Sequence, residues 1–181
     1  MTTKKENTLK LEEATLDDFA AFAGDEVISR LWPDTPGVRA WWDEANGGDM
    51  AAKTFQRYVK VVDVSSVATW DTSMPAERGR RYPPWAGDMP SEVCDLFFAR
   101  EEAERGRVMG GEGHYYLDTL VTHPEYQRRG AASMLLAWGC ALADEDGVAA
   151  KAGKGLYERF GFVDESLDGD GDVASMVRRR R

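Results

Sequence analysis

The stretch from Tyr115 to Ala143 constrains this chain more than any other. Tyr115-Tyr-Leu-Asp-Thr-Leu-Val121 is aromatic and β-branched, the profile of a central strand. His123-Pro124 forces a turn after it, because proline has no N–H to donate to a ladder. Gln127-Arg-Arg-Gly-Ala-Ala132 follows, then an apolar run from Ser133 in which Met134, Leu135, Trp138 and Leu142 recur at helical spacing. A helix that opens this way has first N–H groups without intrahelical partners. Gly130, Ala131 and Ala132 have almost no side chain to block them, and Arg128 and Arg129 add fixed positive charge. Open N–H groups at the positive end of a helix dipole suit an anion such as a diphosphate. Close packing against a strand and a solvated turn would select the same small residues, so this stretch alone leaves both readings open.

A second element narrows the choice. Gly155-Leu-Tyr-Glu-Arg-Phe-Gly-Phe162 reads as a short helix stopped by Gly161, with a strand entered through Phe162. Together with Gln127 to Ala132, it resembles the GNAT superfamily of acyl-CoA-dependent N-acetyltransferases. Gln127, Gly130 and Ala132 match the motif Gln/Arg-x-x-Gly-x-Gly/Ala. Leu156, Tyr157, Gly161 and Phe162 match Leu-Tyr-x-x-x-Gly-Phe. The stretch His114 to Ala143 is most similar to fungal members of uncharacterised substrate.

The resemblance implies an α/β (α+β) fold of GNAT type. That is a mixed, mainly antiparallel twisted sheet of about six or seven strands flanked by about four helices. It implies one domain over 1–181, with residues 1–7 frayed and 114–165 as the cofactor-binding core. Acetyl-CoA is the implied co-substrate, with no metal. Its pyrophosphate would lie on the backbone of Gln127, Arg128, Arg129, Gly130, Ala131, Ala132 and Ser133, and its pantetheine arm along Leu120, Val121 and Thr122. An amine then attacks the thioester, a backbone N–H near Val121 stabilises the oxyanion, and Tyr157 protonates the leaving thiolate as general acid. A small-molecule amine is the expected acceptor. A protein N-terminus or lysine, or acyl-CoA binding without turnover, remains open, as does a homodimer.

The general base is not readable. Alternation puts Tyr115, Leu117 and Thr119 on one face of the strand and His114, Tyr116 and Asp118 on the other. The substrate-facing side would then carry Tyr115 and Leu117, which are not bases. Asp118 would turn that way only through a bulge, and it reads rather as a buried carboxylate paired with a tyrosine or arginine. The chain also departs from the family. Only Val148 to Ala152 is left to build the strand after the long helix, and Gly153-Lys-Gly155 lacks the usual asparagine.

The remaining elements fit an alternating β and α order. Leu9 to Glu12 reads as a short strand, and Thr15 caps a helix whose apolar face runs Phe19, Phe22, Val27, Ile28 and Leu31 until Pro33 and Pro36. A second helix is expected from Val38 to about Ala45, ended by Asn46-Gly-Gly48. Phe55–Val62 and Val67–Trp70 read as strands. Residues 71–90, with four prolines and Arg78, Arg80 and Arg81, read as a loop long enough for a lid or binding segment. Ser91 can cap a helix to about Arg105.

Composition excludes other classes. The 181 residues carry a net charge of −9, which argues against a nucleic-acid partner. The two cysteines, Cys94 and Cys140, form no disulfide framework or zinc set, and no apolar run is long enough to span a membrane. A cytoplasmic protein is expected. Residues 127–181 hold nine basic and nine acidic side chains, whereas residues 1–126 hold fourteen and twenty-three. A negative field of that kind favours a cationic amine as acceptor. The run Arg178 to Arg181 reads as a solvated tail.

Overall fold

Turn chemistry and apolar alternation resolve into seven strands and, among the described residues, four α-helices. The computed structural model describes residues 9–15, 17–18, 26–62, 64, 66–74, 81–147, 149–152, 156–167 and 174–179. Strands β1 (Leu11–Glu13), β2 (Gln56–Val61), β3 (Ser66–Met74), β4 (His114–Thr122), β5 (Ala149–Ala152), β6 (Val163–Asp164) and β7 (Met176–Arg178) form one sheet. Their spatial order is β1-β2-β3-β4-β5-β7-β6. Every neighbouring pair is antiparallel except β4 and β5. Those two are joined by helix α4 (Ala131–Glu145), as a parallel pair requires a crossover. Helices α1 (Glu26–Leu31) and α2 (Pro36–Ala52) lie between β1 and β2, and α3 (Ser91–Met109) lies between β3 and β4.

Several expected boundaries move. Asn46-Gly-Gly48 does not end the second helix, which continues to Ala52. Asn46 donates its side-chain amide to the Trp42 carbonyl one turn back, so the residue read as a stop is held inside the helix. β3 runs on to Met74, four residues into the segment read as a loop, because it follows β4 across two register shifts. The third helix reaches Met109. Phe19 and Phe22, expected on the first helix, lie outside the described residues, as do Arg78, Arg80 and Gly153 to Gly155.

One face of the sheet is buried under α4. Val59, Val61, Ala68, Trp70, Tyr115 and Leu117 meet Ala131, Leu135, Leu136, Cys140 and Ala143 in a single core cluster. The closest approach is at Gly139, where a Cβ would stand 2.2 Å from Cε2 of the fully buried Trp70 indole. The absence of a side chain there lets the helix lie flat on the ring. Cys140, beside it, is inert: burial pushes its thiol up to about 11.

A second cluster is rich in aromatic rings. Trp32, Trp41, Trp42, Tyr82, Trp85, Phe97 and Phe98, with Leu31 and Met89 among others, join α1, α2, α3 and the segment 81–90. Trp85 and Trp32 stack on Phe98 with ring planes 22° and 19° apart. Hydrogen bonds fasten the same segment at its ends: Trp41 Nε1 donates to Pro84 O at 2.9 Å and Trp85 Nε1 to Asp95 Oδ1 at 2.7 Å. The Thr35 hydroxyl caps α2 by accepting from Val38 N–H and donates to the Asp88 carboxylate. Residues 81–90 are therefore docked onto three helices.

Gly139→Ala is expected to lower unfolding stability by about 1–3 kcal/mol through overpacking against Trp70, read from urea denaturation. An unchanged midpoint would show that the helix can lift off the ring without cost.

Candidate functional site

The register of β4 makes the site. On one side, β4 pairs with β3 from His114 to Thr122. On the other, pairing with β5 covers only His114, Tyr116 and Tyr115 between them, against Ala149 to Lys151. Among the described residues, Leu117 to Thr122 thus have a partner strand on one side alone. A strand edge of this kind offers unpaired backbone N–H and C=O groups. Leu120, Val121 and Thr122, expected to meet a pantetheine arm, lie on this half-buried stretch. Ser66 on β3 anchors its end, its hydroxyl donating to Val121 O at 3.0 Å and lying 2.7 Å from Thr122 Oγ1.

The chain leaves β4 through a 3₁₀ turn at Pro124–Tyr126 and enters α4 two turns of backbone later. Gln127 Nε2 donates back to Thr122 O at 3.3 Å, tying the turn to the strand. Arg129 lies over the Tyr126 ring, 5.0 Å from its centre. Arg128 and Gly130 both take left-handed backbone, with φ of 60° and 93°. Gly130 is the cap of α4 and supplies no side-chain acceptor. Its carbonyl accepts from Met134 N–H at 3.1 Å, and no described residue accepts from the N–H groups of Ala131, Ala132 or Ser133. Nothing lies within 4 Å of the position a Gly130 Cβ would take. All seven residues from Gln127 to Ser133 are brought to one place, at the end of the one-sided edge.

Tyr157 stands on the 3₁₀ turn Tyr157–Phe160, which Gly161 closes at φ 82°. It is 9% exposed and packs edge-on against Phe162 at 5.8 Å. Its ring belongs to the same cluster as Leu117 and Ala131, the beginnings of the free edge and of α4. Burial pushes its phenol up to about 12, so the proton is held throughout the neutral range.

Tyr115 and Leu117 share a face of β4, as the alternation has it, but that face is covered by a helix rather than turned to a substrate. Tyr115 and Leu117 are packed beneath α4, and the Tyr115 hydroxyl donates to Asp146. Burial, then that bond, raises its phenol to about 12. Trp70 pairs with Leu117 and Thr69 with Thr119, so Asp118 is the extra residue of a bulge. Its carboxylate engages Arg81, the arginine partner expected for it. Arg81 also reaches Glu101 on α3 at 3.1 Å and covers the Tyr82 and Phe98 rings. Sequence reading missed Arg81: it stood among other arginines in a proline-rich loop, and its partner lies 37 residues away. His114 is buried at the start of β4, its Nδ1 facing Glu112 O at 2.8 Å. His123 Nδ1 accepts from Glu125 N–H in the turn. Among the described residues, no group of three or more His, Cys, Asp and Glu is placed to hold a metal ion, and no helix is long and apolar enough to cross a membrane.

Residues 93–164 match the family model of the acetyltransferase (GNAT) domain. The match runs from α3 to β6 and contains every residue of the site. A curated acetyltransferase from the fungus Stachybotrys chartarum is 28% identical over 109 residues, which is 56% of this chain and 46% of that protein. The chain therefore spans about half the length of that relative. Among solved structures, histone acetyltransferase HPA2 and related acetyltransferase from Corynebacterium glutamicum superposes with a TM-score of 0.57 at 21% identity, covering 96% of this chain and 97% of that one. PH1933 from Pyrococcus horikoshii gives 0.54 at 16%, covering 96% and 99%. These likenesses establish the fold: a GNAT-type mixed sheet with four flanking helices among the described residues.

The phenols of Tyr115 and Tyr157 predict how the domain responds to alkali. Each has a folded pKa near 12 against an ordinary 10, so the fold favours the neutral form. Their contribution is complete below about pH 10 and is lost as pH rises towards 12. The urea midpoint should fall over that interval, and less steeply in Tyr115→Phe and Tyr157→Phe. Equal slopes in all three proteins would contradict it.

Proposed function

We propose that the chain is an acetyl-CoA-dependent N-acetyltransferase acting on the primary amine of a small molecule. The observation that carries this reading is the run from Leu117 to Thr122, which among the described residues has a partner strand on one side alone and is followed by a helix start where no described residue accepts from the N–H groups of Ala131, Ala132 and Ser133. A diphosphate fits the helix start by charge and by the lack of side chains. An amide-bearing arm fits the edge as a further strand. Residues 114–165 are the part of the single domain that does this work.

In the reaction, the amine nitrogen forms a bond to the acetyl carbon and the carbon–sulfur bond breaks. Backbone N–H groups near Val121 are suited to the carbonyl oxygen as it gains charge. Tyr157 holds its proton at neutral pH and is suited to give it to the departing sulfur. The amine proton passes to solvent. The acidic excess of residues 1–126 supports a cationic acceptor, which must lose a proton before it attacks. We further propose a cytoplasmic location, consistent with two free cysteines, both buried.

Release of free thiol from acetyl-CoA, measured across polyamines, aralkylamines and a lysine peptide, tests the reading. Turnover of a small amine supports it. Turnover of the peptide alone transfers the activity to protein acceptors, and calorimetric binding without any turnover leaves an acyl-CoA-binding module. Gly130→Glu should weaken acetyl-CoA binding more than about tenfold, since charge repulsion and a residue poorly suited to φ 93° both act at the helix start. Tyr157→Phe should lower kcat by about ten- to a hundredfold while the acetyl-CoA Kd stays within about twofold. Full turnover in that variant would remove Tyr157 from the chemistry.

A further inference from the structure

We propose that Arg81 is a positioning residue for the acyl site, holding β4 on course where the strand is least supported. The inference rests on the reading of the one-sided edge as the place where the acyl arm binds. Asp118 is the extra residue of the β4 bulge, and it comes two positions after Tyr116, the last described residue that pairs with β5. A bulge and the loss of one neighbour therefore fall on the same few residues. Bulges bend and re-aim a strand, and a strand bonded on one side resists displacement less than one bonded on both.

Arg81 meets the bulge at that point. Its guanidinium engages the Asp118 carboxylate, and its Nη2 also donates to the Asp118 backbone oxygen at 3.4 Å. Nη1 reaches Glu101 Oε2 on α3 at 3.1 Å. The planar group lies 4.7 Å from the centre of the Tyr82 ring and 5.2 Å from that of Phe98. The arginine and Asp118 side chains are only 12% and 8% exposed, so water competes little for the contacts. One side chain thus ties the backbone and the carboxylate of the bulge to α3 and to the aromatic cluster. A lysine could not reproduce this, because the geometry uses both arms of a planar fork. Asp118 is held by the arginine, and its part is to anchor the strand.

The test separates the two halves of the site. ADP serves as a diphosphate probe of the α4 start, in competition with acetyl-CoA, and acetyl-CoA itself reports on both halves. In Arg81→Gln, acetyl-CoA affinity should fall about tenfold, the loss of a hydrogen bond or two along the edge, while ADP affinity stays within about twofold. Arg81→Lys should fall between this variant and the wild type, and it carries the test if Arg81→Gln does not fold. Acetyl-CoA affinity unchanged in both variants, or a parallel loss of ADP binding, overturns the inference. Asp118→Asn that retains acetyl-CoA affinity but loses turnover also overturns it, by placing Asp118 in the chemistry. Wild-type protein that binds ADP but gains nothing from the acyl arm would instead refute the acyl-site reading itself.

Discussion

Among the described residues the parallel pairing of β4 with β5 covers three residues, and the rest of the candidate site depends on where it ends. β4 is held by β3, which follows it from end to end across two register shifts, so the strand survives the loss of its second neighbour. β5, only four residues long, is held on its far side by β7. The sheet is therefore continuous at one end of β4 and open at the other. Backbone groups that would be buried in a full ladder are left available within an otherwise apolar setting.

What keeps this arrangement from collapsing is different on the two faces. Beneath, α4 lies on Trp70 through Gly139, which sets how close the helix comes to the sheet and where its first turn ends up. Above, the contact is polar and aromatic: Asp118, Arg81 and the rings of Tyr82 and Phe98. The first is a fixed apolar seat and the second a directional clamp. Both bear on the same stretch of backbone.

Much of this was legible in residue order. The small residues at 130–132, the turn at His123-Pro124 and the repeat Leu156-Tyr157…Gly161-Phe162 are local patterns, and each folds as its neighbours dictate. The candidate cofactor positions Leu120 to Thr122 and Gln127 to Ser133 fall near one another because strand, turn and helix are contiguous. The bulge could not, since it is a property of the pairing between Thr69-Trp70 and Leu117-Asp118-Thr119 rather than of either strand. Arg81 was hidden for the same reason. Period-two alternation put Tyr115 and Leu117 on one face correctly but could not say that α4 covers that face, and a glycine pair in α2 looked like a stop because the Asn46 bond to the Trp42 carbonyl forms only once the helix does.

The aromatic cluster also carries a mechanical consequence. Seven rings from Trp32, α2, α3 and the 81–90 segment pack together, with each of Trp41, Tyr82 and Phe98 touching several others. Rings packed this closely hinder one another's rotation, and through Arg81, which covers two of them, the cluster is tied to the Asp118 bulge of β4.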